Sequence, residues 1–479
     1  MMISRRYLKI VPVAIAAAAL TAACTSGSSD PGGVGRSSTV LTMANGSASI
    51  ASYPAVAQFV NRFTELESGL SANVVDRWGD FKPDSEQQIV RDVASGKADV
   101  GWVGARVFDT LGVSSLQALS APMLVDSYAL QQAVVDSDVS RRMLDGVDKV
   151  GVHGLGLLAG GLRKPVSVKR PFLRAADWQG ARFGTLKSAT QTTAIEALGA
   201  KPAEVLAQDR DKAIDSGQLD AFEMSLRGYQ FNSLERRAPY VAANVNLWPE
   251  MMVLIVNPDR FGKLRDYERA RLVQAANETA ARSGELSGGD AALLAQECQL
   301  GARAHVAAAD DLAALRDAFA PVYAKLREDA TTRDLIARIE EFKRSTTAEP
   351  ALTVPAGCTE TDPAPVASNA ANELLGTWEA ASPHPYLFEV TDSVWIQYER
   401  RTDGSAEQGW RGTYTINGST VRLKEIGAGC ELEYQFTLQA GELRIKVVRS
   451  GPEDNPDCGP HDLAVQRFIY ETAPFRKTK

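Results

Sequence analysis

Between Thr39 and about Arg344, short apolar runs alternate with stretches whose apolar residues recur at helical spacing. Val40-Leu41-Thr42-Met43-Ala44 reads as a strand. Ala55 to Leu66 places Val56, Phe59, Val60 and Phe63 on one face, which predicts a helix. Ala72 to Val75 predicts a second strand, Gln87 to Ala94 a second helix, and Asp99 to Val103 a third strand. Strands alternating with helices predict an α/β fold with a mostly parallel sheet. From Tyr267 to Phe342 the pattern is helical throughout. Two segments echo each other: Ser95-Gly96-Lys97-Ala98-Asp99 and Ser216-Gly217-Gln218-Leu219-Asp220 both read as a helix end, a glycine stop and the start of a strand. The echo favours two similar lobes, although Ser-Gly helix ends are common. Residues 345–372, rich in Pro, Thr and Ala, predict a linker. From residue 373 to 479 the period shortens to two, as in Val394 to Tyr398 and Thr420 to Leu423. Asn417-Gly418 between two such runs is a strong hairpin signal, and the region predicts a small antiparallel barrel or sandwich.

The N-terminus adds an address. Arg5, Arg6 and Lys9 precede an uncharged apolar run from Ile10 to Ala23. Crossing a bilayer takes about 20 apolar residues, so this run suits a signal peptide over residues 1–23. Leu20-Thr21-Ala22-Ala23-Cys24 followed by Thr25-Ser26-Gly27-Ser28-Ser29 looks like a bacterial lipobox and a tether (24–38), which makes Cys24 the expected site of lipidation and places the chain outside the cytoplasm on a membrane. Cleavage with Cys24 as a bystander is the bland alternative. With Cys24 lipidated, Cys298, Cys358, Cys430 and Cys458 form an even set in an oxidising compartment. Cys298 lies in the helical stretch and Cys358 in the linker, while Cys430 and Cys458 share the β region. The expected pairs are therefore Cys298–Cys358 and Cys430–Cys458. The four histidines are scattered, so no metal site and no cofactor is expected. The net charge is −7, or −10 without the three basic signal residues, and no basic patch suggests nucleic acid.

The order of motifs from Val40 to Phe342 resembles the DctP-type receptors of TRAP transporters. Gly96-x-x-Asp99 and Leu119-Ser120-Ala121-Pro122 resemble family steps in the first lobe. Gly160-Gly161-Leu162-Arg163 resembles the Gly-x-Arg on a lobe-crossing strand. Arg170-Pro171, Asp177, Gly180, Leu198-Gly199-Ala200-x-Pro202 and Gly217-x-x-Asp220-x-x-Glu223 follow in the family order. The resemblance implies a two-lobed periplasmic-binding fold (type II-like) over 39–344, a small-molecule solute and TRAP membrane subunits as partners. One departure stands out. The family reads Lys-Ile-Arg where this chain has Arg182-Phe183-Gly184, and that arginine grips the solute carboxylate in most members. Glycine cannot replace a bidentate guanidinium, so either the solute is not a simple carboxylate or another cation takes the task. Leu374-Leu375-Gly376-Thr377-Trp378 resembles the Gly-x-Trp opening of lipocalin-like barrels, with Phe388, Tyr398, Tyr414 and Tyr434 as candidate interior residues.

The candidate ligand-binding residues are Arg163, Arg182, Glu223, Trp102 and Trp78, and Lys187 sits in the loop that follows Gly184. Each has a plainer reading. Arg163 pairs with an acid between the lobes, Arg182 is solvated, Glu223 belongs to the hinge, and the two tryptophans are wall or core. Strand ends of open α/β sheets favour the ligand role. Capture of a small organic solute, an organic acid among the candidates, is the expected function. A ligand sensor with the same fold is the alternative. An enzyme is not expected, since neither a Gly-x-Ser-x-Gly, a His-Glu-x-x-His nor a Walker loop occurs.

Overall fold

The structure is a computed structural model. It describes residues 39–479 except 48–49, 51–52, 67, 206–208, 233, 236, 348, 350–351, 356–357, 359–372, 381–385, 392–393, 401–405, 418, 426–429, 440, 452–465, 468, 472 and 479. The signal run, Cys24 with its tether, most of the linker and Cys458 therefore lie outside the described residues. Among the described residues no helix is long and apolar enough to cross a membrane.

Two sheets and a barrel organise the chain. The first sheet takes β1 (Thr39–Ala44), β2 (Leu70–Val75), β3 (Val100–Gly104), β4 (His153–Leu158) and, much later, β11 (Met252–Val256), in the order β2-β1-β3-β11-β4. Its first three strands run parallel, as strand–helix alternation requires. Helix Pro54–Glu65 starts at a proline, whose fixed φ suits the first turn, and buries Val56, Phe59 and Phe63 against this sheet. The second sheet takes β5 (Leu162–Ser167), β6 (Arg182–Gly184), β7 (Lys201–Ala203), β8 (Ala221–Met224), β9 (Tyr240–Ala242) and β12 (Arg303–His305) in the order β12-β9-β5-β8-β6-β7, with β10 (Trp248–Pro249) on β5. β12 interrupts the stretch read as continuous helix. Three residues are too few for a period to show, and their parallel pairing with β9 is a tertiary event.

The echo between the lobes is structural. Gly96 (φ 77°) and Gly217 (φ 66°) each take the left-handed turn after a helix, where glycine has no Cβ to clash. Asp99 Oδ2 then accepts the Thr42 N–H at 2.8 Å, and Asp220 Oδ2 accepts the Arg182 N–H at 2.9 Å. In both lobes the aspartate pins a neighbouring strand.

The chain crosses between the sheets at residues 159–161 and returns at 250–251. The crossings touch backbone to backbone: Glu250 N donates to Gly161 O at 2.8 Å. A Cβ on Gly160 would lie 2.0 Å from Glu250 O, and one on Gly161 would lie 2.4 Å from Ser225 Cβ, so only glycine fits at either position. Helix Asp266–Ser287 braces the first crossing. Ser283 Oγ accepts the Ala159 N–H at 2.9 Å, and Ser287 Oγ donates to Ala159 O at 2.8 Å.

The last strands, β13 (Gly376–Ala380), β14 (Tyr386–Val390), β15 (Val394–Arg400), β16 (Ala406–Asn417), β17 (Thr420–Glu425), β18 (Glu431–Gln439), β19 (Glu442–Gly451) and β20 (Phe475–Lys477), close into an antiparallel barrel. Asn417 pairs with Thr420 in the expected hairpin. Trp378 is buried, with Nε1 donating to Leu374 O at 2.7 Å. Phe388, Tyr414 and Tyr434 lie in the interior cluster with Trp378 and Trp395. Tyr398 does not. It faces outward with Val394 and Ile396, onto Leu300 of the second lobe. Alternation along a strand separates inside from outside, but the apolar outer face shows only once the barrel has a neighbour. Cys298 is bonded to Cys358, stapling the segment after helix Ala330–Ser345 to the second lobe, where Leu352 and Val354 also pack. Cys430 is disulfide-bonded as well.

Candidate functional site

The two crossings bring a charged group to the junction of the lobes. Arg163 sits on β5 just past the first crossing, with its side chain buried. Its Nε donates to Glu223 Oε2, its Nη2 to the Glu223 carbonyl at 3.0 Å, and its Nη1 to Glu250 Oε1 at 2.5 Å. Glu223 arrives on β8 opposite Pro165 in register, and Glu250 belongs to the return crossing. Ser225 Oγ donates to the other Glu250 oxygen at 3.2 Å. Burial pushes the Glu223 carboxyl above its ordinary value despite Arg163. Burial also works against a charged Arg163, but Glu223 and Glu250 outweigh it and hold the guanidinium protonated.

The first lobe answers with Tyr53, Glu86, Trp102 and Arg106. Arg106 Nη2 donates to Glu86, whose Oε1 also accepts the Gly104 N–H at 3.0 Å at the end of β3. Arg106 Nη1 is buried with no hydrogen-bond partner among the described residues. Trp102 packs its ring 4.4 Å from that of Tyr53 and donates Nε1 to Asn45 Oδ1 at 3.0 Å. The Tyr53 hydroxyl is pushed well above its ordinary pKa, first by burial and then by Glu250, and it also feels Arg163, Glu86 and Arg106. One cluster therefore joins the lobes, lined by two rings and carrying both signs of charge. Lys164 is likewise spent, on Asp290 Oδ2 at 2.9 Å and Asn246 Oδ1 at 2.6 Å. Such a setting can hold a polar solute by many directed hydrogen bonds, while its own ion pairs neutralise most of its charge.

Of the residues singled out from sequence, Arg163, Glu223 and Trp102 come together here. Arg182 and Trp78 are held elsewhere. Arg182 makes a bidentate pair with Asp220, at 2.9 and 2.6 Å, with its side chain 45% exposed. Trp78 donates Nε1 to Asp92 Oδ2 at 2.8 Å beneath Lys97, and lines a separate surface hollow with Lys82 and Gln88. Tyr53, Glu86, Arg106 and Glu250 escaped the sequence reading. The strand-end rule that flagged Trp102 reaches Arg106, two residues past β3. Glu250 carries no local signal, because only the return crossing puts it beside Arg163. Among the described residues no group of side chains could hold a metal ion.

The family model of the bacterial extracellular solute-binding protein family 7, DctP, matches residues 79–329, more than half of the chain. The chain belongs to this family. No curated protein matches it. Solved structures of TRAP periplasmic solute-binding proteins are similar to the receptor part. One from Roseobacter denitrificans, with bound β-D-glucuronate, shares 20% identity over 64% of this chain and 100% of its own, with a TM-score of 0.57. One from Ralstonia eutropha, with bound (S)-2-acetolactate, shares 19% identity over 64% of this chain and 99% of its own, with a TM-score of 0.57. The sugar acid binding protein DctPAm from Advenella mimigardefordensis, in complex with galactonate, shares 17% identity over 63% of this chain and 98% of its own, with a TM-score of 0.57. At such identities the likeness is one of fold. The DctP family and these structures are solute-binding proteins rather than enzymes. The barrel is an addition beyond the matched region.

Proposed function

We propose that this DctP protein is the extracytoplasmic receptor of a TRAP-type secondary transporter, capturing a small organic acid between its lobes and delivering it to TRAP membrane subunits. The observation that carries the reading is the charged and aromatic cluster at the paired crossings of a DctP fold. Closure of two lobes about such a group is a general way to sequester a solute and signal its capture. The acids bound by the similar structures support an acid here. Lipidated Cys24 would tether the mature chain beside its membrane partners, and Cys458 would pair with Cys430.

Native mass spectrometry of the purified chain tests the receptor reading. A retained small acid, released on denaturation and rebinding in titration calorimetry, is the expected result. Loss of its uptake in cells lacking this gene completes the case. A chain that retains nothing and binds no member of a broad solute panel refutes the reading. For the anchor, Cys24→Ser is expected to move the protein from membrane to soluble fraction, and an unchanged distribution refutes lipidation.

A further inference from the structure

A guanidinium at the edge of the second lobe is buried without a full anionic partner. Arg210 opens the short helix Arg210–Asp215, and its side chain is 11% exposed. Its Nη2 donates to the neutral Asn232 Oδ1 at 2.8 Å. Its guanidinium carbon lies 5.6 Å from the centre of the Phe222 ring. Nε is buried and has no hydrogen-bond partner among the described residues. The carboxylate of Asp211 stands 3.9 Å from Nε, beyond hydrogen-bonding reach. Burial pushes the Arg210 pKa below the ordinary arginine value, and the charge of Arg163 adds to this against the opposing pull of Asp211.

This charge lies near the site, within electrostatic reach of Arg163. Phe222 directly precedes Glu223 on β8, so its ring and the guanidinium over it occupy the opposite face of that strand. Gly184, at the end of β6, is the register partner of Phe222, and a Cβ there would lie 3.0 Å from Phe222 Cβ. Gly184 thus brings no side chain to this face, and Arg210 reaches the Phe222 ring from the helix side. Arg163 has its charge occupied by Glu223 and Glu250, Lys164 by Asp290 and Arg106 by Glu86. A buried guanidinium costs stability unless an anion completes it, and its planar fork matches a carboxylate bidentately. We infer that Arg210 is the residue that holds the carboxylate of the solute, reaching from the helix because the strand cannot supply it. The inference rests on the receptor reading above and adds the group that selects acids.

The experiment compares wild type, Arg210→Met and Arg210→Lys by calorimetry and thermal melting. The probes are D-glucuronate and D-galacturonate, each beside its neutral sugar, D-glucose and D-galactose. The expected result has three parts. Wild type binds a sugar acid and not its neutral counterpart. Arg210→Met loses at least tenfold in affinity, and Arg210→Lys loses less. Without solute, Arg210→Met melts at least as high as wild type, because an incompletely paired buried charge has gone. Acid binding unchanged in Arg210→Met overturns the inference, as does binding of the neutral sugar with equal affinity. If neither acid binds wild type, the solute-free melts decide: Arg210→Met melting below wild type marks a structural arginine and overturns the inference, and melting above it supports a charge kept for an anionic ligand. A neutral solute found by native mass spectrometry overturns Arg210's role while leaving the receptor reading intact.

Discussion

Replacing Arg411 by methionine tests how the barrel is held. Arg411 lies on the outer face of β16, opposite Ile396, with its side chain 5% exposed. Its Nη2 donates to Glu297 Oε1, its Nη1 to the Gln230 carbonyl at 3.3 Å, and Glu235 Oε2 lies 3.9 Å away. Both carboxylates are almost wholly buried in the second lobe. Removing one partner of a buried ion pair costs about 3–5 kcal/mol, since the remaining charge stays out of water. Here the remaining charges can escape by taking up protons. Burial, against the pull of Arg411 and with Glu235 adding, already pushes the Glu297 carboxyl from 4.5 up to about 7. A folded value above the unfolded one means that folding favours the protonated acid. The group therefore costs nothing below its unfolded value, and the cost builds as pH rises, becoming complete above the folded value. At about 1.4 kcal/mol per pH unit, the penalty near neutrality is already roughly 3 kcal/mol with the arginine present. Without Arg411 the folded value climbs further. Arg411→Met is thus expected to lose about 3–5 kcal/mol at pH 8 and less than half of that at pH 5. Urea unfolding at both pH values, followed by tryptophan fluorescence, measures it. Adding Glu297→Gln and Glu235→Gln to the variant is expected to recover most of the loss at pH 8. A loss that is equal at both pH values, or below about 1 kcal/mol at pH 8, refutes the argument.

Other outcomes follow from the same geometry. Cys298→Ser is expected to cost about 2–4 kcal/mol by releasing a closed loop, and reductant is expected to lower the melting temperature of wild type but to have a smaller effect on the variant. Gly160→Ala forces a Cβ to 2.0 Å from the Glu250 carbonyl, so a loss of at least about 1–3 kcal/mol is expected in denaturant melts. Gly262→Ala, with open space around it, is expected to be neutral or slightly stabilising, and it serves as the control. Arg163→Ala leaves Glu223 and Glu250 facing each other, with an expected cost of about 3–5 kcal/mol at pH 8 that Glu223→Gln partly restores. Gly184→Arg is expected to destabilise the second lobe against Phe222 and Leu219 rather than to create an acid site, and a gain of acid binding without loss of stability contradicts this.

The local periods of this chain determined a great deal. Strands at β1, β2 and β3, helices between them, the glycine stops at Gly96 and Gly217 and the hairpin at Asn417 all depend on neighbours a few residues apart, where apolar spacing and backbone freedom act directly. Motif order carried the DctP frame, and the placement of Cys298 and Cys358 anticipated their bond. Tertiary structure alone decided the rest. Glu250 joins Arg163 because the chain recrosses between the lobes after almost ninety residues, a distance over which no period survives. Arg182 and Arg163 look alike as charges in a sequence, yet one is bound to Asp220 and exposed while the other is buried between two glutamates. Tyr398 and Tyr414 sit on the same kind of alternating strand, and only barrel closure and the contact with Leu300 turned one outward and the other in. Arg210 gave no signal in the chain, because what sets it apart is a counter-charge left incomplete by the fold. Counter-charges are set by what folding packs alongside a residue, and sequence records only what stands next to it.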